Sequence, residues 1–251
     1  MQVIDAAVHW AERIMQKIDN EIDTSEQCAN LMLAKAIDYY VMRLRAAGGL
    51  NVDAYEKTVR NNSGNASQVL NFLSEAITAL MFLEHGDVLM RDKPDLFVTL
   101  RGESFYAEVK HFNRKEQDDL DEQAERNAPE FELVRVGDTV PKEGKTPWRQ
   151  IAEVAISKES CYIKGAINVL VIHSDSDALY GMCESGANEF SDDMKSTPPD
   201  SPLRRLNGIM LINCLMGSRG GPSNVEFAVT KYPWQQMSFR LFQALAEIRT
   251  G

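Results

Sequence analysis

Asp95, Glu108 and Lys110 are the side chains of this 251-residue chain whose types and spacing could do chemistry together. They fall in KPDLFVTLRGESFYAEVKHF, from Lys93 to Phe112, a stretch that predicts a β-hairpin turning at Arg101-Gly102 between two runs rich in β-branched and aromatic residues. A two-residue loop sets Leu100 against Glu103, Val98 against Phe105, Leu96 against Ala107 and Asp95 against Glu108. Side chains alternate with period two, so Asp95, Glu108 and Lys110 share one face. Leu96, Val98, Leu100, Phe105, Ala107 and Val109 form a wholly apolar opposite face, and a one-residue slip would mix the two. Two carboxylates opposed on an antiparallel pair lie roughly 5 Å apart at Cβ and repel each other. A cation between them relieves that repulsion, and hard oxygen donors with positions left for water suit Mg²⁺, with Mn²⁺ as its substitute. Lys110 would lie beside such an ion, where its ammonium could orient an attacking water or offset charge on a phosphate. The layout fits phosphodiester cleavage.

Pro94-Asp95, the hairpin and then Glu108-Val109-Lys110 resemble the PD-(D/E)XK nuclease superfamily, over roughly residues 65 to 173. The resemblance implies an α/β chain with a restriction-endonuclease-like αβββαβ core, a mixed central sheet flanked by helices. It also implies a helix ahead of the hairpin with an acidic residue facing the site. Asn65 to His85 has the helical period: Val69, Leu70, Phe72, Leu73, Ile77, Leu80, Met81 and Leu83 make a broad apolar stripe, and Gln68, Asn71, Glu75 and Thr78 a polar line. Glu75, with Gln68 and Asn71, is therefore expected to face the carboxylates. In the roles the resemblance implies, Asp95 and Glu108 ligate Mg²⁺ together with the backbone carbonyl of Val109, and Glu75 completes the shell directly or through water. Lys110 positions the nucleophilic water, and Gln150, on the helix after the hairpin, reaches the substrate or the lysine. The expectation is a divalent-metal-dependent nuclease acting on DNA rather than RNA. The alternative is a catalytically inactive nuclease-fold scaffold or a metal-dependent regulatory or interaction module.

With 44% hydrophobic and 25% charged residues the chain has the balance of a water-soluble globular protein. No apolar run is long enough to span a membrane and no basic-then-apolar leader opens the sequence, so a cytoplasmic protein is expected. The scattered Cys28, Cys161, Cys183 and Cys214 have no metal-ligand spacing and read as free thiols of a reducing compartment. His9, His85, His111 and His173 also lack such spacing, and His111 should point to the face opposite Lys110. A net charge of −10 is awkward for a protein that grips polyanions, because phosphate neutralisation supplies most of that affinity. Residues 113 to 132 hold eight acidic side chains against Arg114, Lys115 and Arg126, a net of −5, so half the excess sits in one segment. That segment reads as an acidic insertion over about 113–146 with a solvated face. Weak intrinsic DNA affinity, or help from a partner or a homodimer, follows.

The remaining elements frame this hairpin. Residues 1–60 read as an N-terminal helical region: Val3, Ala7, Trp10, Ile14 and Ile18 stripe one helix and Leu31, Ala34, Ile37, Val41 and Leu44 a second, which Thr24 or Ser25 caps and Gly48-Gly49 stops. This helical hairpin would pack on the core or on a second copy or partner. Residues 61–251 read as the nuclease-like domain. It contains a strand over Asp87–Met90, a helix over Trp148–Cys161, a doubly buried strand over Ala166–Ile172 and loop from Ser174 to Pro202. Strands over Leu206–Met216 and Val225–Lys231 and a helix over Trp234–Arg249 complete it.

Overall fold

A computed structural model describes residues 26–62, 66–112, 146–174, 179–213, 224–233 and 235–248. The chain is α/β and divides into two units, Met1–His111 with Ser238–Gly251, and Phe112–Met237.

In the first unit, helix α1 (Glu26–Ala46) buries Ile37, Tyr40, Val41 and Leu44, the i, i+3, i+4, i+7 stripe of an amphipathic helix. It ends where expected: Gly48 takes φ 84°, a left-handed conformation glycine adopts without strain, and Gly49 N donates to Leu44 O at 2.9 Å. A short helix that the sequence reading did not anticipate follows, α2 (Val52–Asn61), burying Val52, Tyr55 and Val59. Helix α3 (Ala66–Leu83) is the one expected over 65–85. Three antiparallel strands come next: β1 (Gly86–Met90), β2 (Leu96–Leu100) and β3 (Glu103–Phe112). The β2–β3 register is Leu96 with Ala107, Val98 with Phe105 and Leu100 with Glu103, the pairing read from the sequence. Arg101 (φ 53°) and Gly102 (φ 83°) both take positive φ, the requirement of the two-residue turn whose twist matches the flanking strands. All six residues of the apolar face are buried, and Phe82 of α3 meets Phe105 edge-on at 5.4 Å, so α3 packs on that face. Helix α6 (Phe239–Ala246) closes the unit; Ser238 caps it by accepting from Leu241 N, and Glu247 pairs with Arg101 of the hairpin turn. The expected helix over Trp234–Arg249 is thus shortened, because residues 235–237 ahead of the Ser238 cap are not helical.

In the second unit, Thr146 caps helix α4 (Pro147–Ser157), with Pro147 in its first turn, and a single 3₁₀ turn covers Glu159–Cys161. Strand β4 (Asn168–Ser174) is buried at every position and pairs in parallel with β5 (Leu206–Asn213), which pairs antiparallel with β6 (Asn224–Val229). The doubly buried run read from AINVLVI is therefore a parallel strand, as burial on both faces implies. The loop expected from Ser174 to Pro202 is corrected: Cys183–Lys195 forms helix α5, and Pro202–Arg205 a 3₁₀ turn. Cys183, Ala187, Phe190 and Met194 make a helical stripe at i, i+4, i+7, i+11, and all four are buried. Ser, Asp, Asn and Gly between them hid that stripe. Gly186 lets the two helices touch, since a β-carbon there would lie 2.5 Å from Ile151 Cγ2 of α4. Cys161 and Cys183 are buried free thiols, and burial pushes the Cys183 thiol up to about 12.

The helix expected over residues 3–18, the Thr24 and Ser25 caps and the acidic segment at 113–145 lie outside the described residues. Among the described residues no helix is long and apolar enough to cross a membrane.

Candidate active site at the mouth of the hairpin

Asp95 stands one residue ahead of β2, at the end of a tight connection in which Arg91 N donates to Asp95 O at 2.7 Å. The β2–β3 ladder ends at the Leu96–Ala107 pair, so Asp95, a bend residue, stands just beyond it, with Glu108 the next residue along β3. The Asp95 carboxylate accepts a hydrogen bond from Val109 N through Oδ2 at 2.7 Å, which ties the aspartate to the partner strand next to Glu108. A charge-assisted bond of this kind fixes the direction of the carboxylate as well as stabilising it.

Glu75, Asp95 and Glu108 are 7, 9 and 4% exposed. Three carboxylates this far out of water in one unit are costly unless hydrogen bonds or a cation compensate them. Glu75 and Asp95 line the same pocket, along with Asn51, Tyr55, Phe72, Met90, Arg91 and Asp92. Helix α3 thus brings its central acid to the strand acid, and Glu108 is buried across the hairpin from Asp95. The pocket opens to solvent and has a cavity volume of about 120 Å³. That leaves room for several waters or a hydrated cation. Tyr55 donates from its hydroxyl to Phe72 O, and burial, then the nearby Glu75 and Asp95, holds its phenol well above the usual range as a neutral donor.

Lys110 Nζ donates to Asn71 Oδ1 at 3.1 Å, and His111 N donates to the same oxygen at 3.0 Å. One amide of α3 therefore positions both the ammonium and the end of β3. His111 lies on the α3 side of its strand, with Nδ1 hydrogen-bonded to Ser74 Oγ at 3.2 Å. Burial, then the charge of Lys110, lowers its pKa from 6.5 to about 4. The fold holds this imidazole neutral. Its contribution is complete above the unfolded value of 6.5 and is lost as pH falls from there toward 4. Between pH 7 and 4.5 wild-type protein should lose about 2–3 kcal/mol more stability than His111→Gln, measured by urea denaturation. Equal losses in the two proteins would remove His111 as the cause.

The donor set fits the implied metal in type: carboxylate oxygens are the ligands of Mg²⁺ and Mn²⁺. Among the described residues no three His, Cys, Asp or Glu side chains are gathered as a metal-binding group. Glu75 and Asp95 share the pocket, and Asp95 is tied to Val109 N–H, next to Glu108 on β3. Val109 adds its backbone beside them. Gln150 belongs to the second unit, half-buried on α4. Arg91 and Tyr55 were not anticipated as site residues. The Val52, Tyr55, Val59 spacing was the legible signal for Tyr55, and nothing local marks Arg91. Set against family models, curated proteins and solved structures, the chain matches none of them.

Proposed function

We propose that the chain is a divalent-metal-dependent nuclease of the restriction-endonuclease-like, PD-(D/E)XK kind, hydrolysing phosphodiester bonds of DNA rather than RNA. The carrying observation is the pair of buried acids, Asp95 just ahead of β2 and Glu108 on β3, with Asp95 tied to Val109 N–H beside Glu108 and Lys110 two residues further along β3. The chain order α3, β1, β2, β3, α4, β4 supports the αβββαβ reading. Asp95, Glu108 and the Val109 carbonyl would hold Mg²⁺ or Mn²⁺, with Glu75 completing the shell. The ion, when bound, polarises a phosphoryl oxygen and acidifies water. Val109 N–H keeps Asp95 aimed, and Asn71 steers the Lys110 ammonium to where a nucleophilic water or a phosphate oxygen would sit. The negative net charge gives no long-range attraction to DNA, so a second copy or a partner protein engaged by the N-terminal helices assists binding, in a reducing cytoplasm.

One observation favours a second reading. Asp95 is bonded to Val109 N–H and Lys110 to Asn71, which also describes a self-contained polar plug in an inactive scaffold or interaction module. Purified protein incubated with supercoiled plasmid, single-stranded DNA and RNA, in Mg²⁺, Mn²⁺ or EDTA, separates the two. The nuclease reading expects metal-dependent cleavage that Lys110→Ala lowers by about 10²–10³-fold. Cleavage that survives both EDTA and Lys110→Ala comes from elsewhere, and none with any metal leaves the scaffold.

A further inference from the structure

We propose that Arg91 grips the phosphate next to the one being cleaved, and so fits this site to a polynucleotide strand rather than to a small phosphate ester. The inference rests on the nuclease reading. Arg91 lines the pocket shared by Glu75 and Asp95, and among the described lining residues it is the cation. Its guanidinium lies over the ring of Tyr106, 5.0 Å from the centroid, and that ring leans on Phe97 with centroids 5.0 Å apart. An aromatic platform holds an arginine in place without occupying its N–H fork. Among the described residues the guanidinium forms no ion pair, although Asp92 lines the same pocket.

The strand then sets the spacing. Tyr106 precedes Glu108 by two residues and Lys110 follows it by two, so the three project from one face of β3. Tyr106, which carries Arg91 on its ring, and Lys110 therefore flank Glu108, their Cα atoms each displaced roughly 7 Å along the strand. The displacement is comparable to a nucleotide step of an extended strand. With the reacting phosphate at the carboxylates, Arg91 meets its neighbour, and a planar guanidinium can bond two oxygens of one phosphate. Asp92 would repel the same backbone, and the arginine offsets it.

Binding of a fluorescein-labelled single-stranded DNA oligonucleotide in Ca²⁺, followed by anisotropy over a salt series, tests the contact. Arg91→Gln is expected to weaken binding about tenfold and to make the plot of log K against log salt shallower by about 0.7, the loss of one phosphate contact. Arg91→Lys keeps the wild-type slope, and Arg91→Met replaces Arg91→Gln if that variant fails to fold. In Mn²⁺, Arg91→Gln should lower kcat/KM on the oligonucleotide about tenfold more than on bis(p-nitrophenyl) phosphate, which carries one phosphate. An unchanged salt slope overturns the proposal. Equal losses on both substrates do so too, because they mark a structural role, as does wild-type protein that binds no oligonucleotide. If wild type cleaves nothing yet the slopes differ as stated, the phosphate contact stands and the nuclease reading fails.

Discussion

Asp95→Asn should abolish metal-dependent cleavage, by about a thousandfold or more, while leaving the metal-free protein at least as stable as wild type. The substitution keeps the shape of the side chain and an oxygen able to accept from Val109 N–H, so the tie between β2 and β3 survives. What it removes is one of two buried carboxyl groups at this end of the hairpin. Without a cation its charge is a burden, because neighbouring carboxylates repel and each is poorly hydrated. With a cation it is a ligand. The two stabilities should therefore part on adding Mn²⁺: at a hundred times the dissociation constant wild type gains about 2.7 kcal/mol by linkage, and Asp95→Asn gains little. Asp95→Ala is the contrasting variant. It loses the charge and also leaves Val109 N–H buried without an acceptor, at a cost of about 1–3 kcal/mol. Thermal unfolding with and without Mn²⁺, beside the cleavage assay, reads all three proteins. Should Mn²⁺ stabilise Asp95→Asn as much as wild type, the aspartate is no ligand and the metal reading falls with it.

The second large effect concerns the strand that shapes the approach to Asp95. A β-carbon on Gly86 would lie 2.0 Å from the carbonyl oxygen of Thr99, which is backbone and cannot rotate away. Gly86→Ala must therefore push β1 off β2 at the Gly86–Leu100 end of the pair, and a loss of about 3 kcal/mol or more is expected. Gly102→Ala makes a useful control. Nothing lies within 4 Å of a β-carbon there, and only the φ of +83° opposes the change, for about 1 kcal/mol. Urea denaturation of the two variants compares crowding with backbone strain directly. If Gly86→Ala is no worse than Gly102→Ala, the two strands do not approach as described. Because β1 leads into the Arg91–Asp95 connection, Gly86→Ala should lower any Asp95-dependent activity as well, through position and not chemistry.

The hairpin register was legible in the sequence because everything that sets it is local. Alternation of apolar and polar residues over two short runs, joined by a two-residue turn at Arg101-Gly102, leaves one pairing that keeps Leu96, Val98, Phe105 and Val109 on a single buried face. The same locality made α3 and the doubly buried β4 readable, one from its 3.6-residue period and the other from an unbroken apolar run. Helix α5 was missed because its stripe of Cys183, Ala187, Phe190 and Met194 is diluted by residues that usually punctuate loops; packing of Gly186 against Ile151 decides for helix. Sequence alone also singled out Asp95, Glu108 and Lys110 as neighbours on one hairpin. Only the tertiary structure decided that Asn71 accepts from both Lys110 and His111, that Glu75 and Asp95 share a pocket, and that Arg91 rests on Tyr106. These contacts join elements far apart along the chain, and which helix face lands on which strand is set by the burial of the whole core rather than by any run of neighbouring residues.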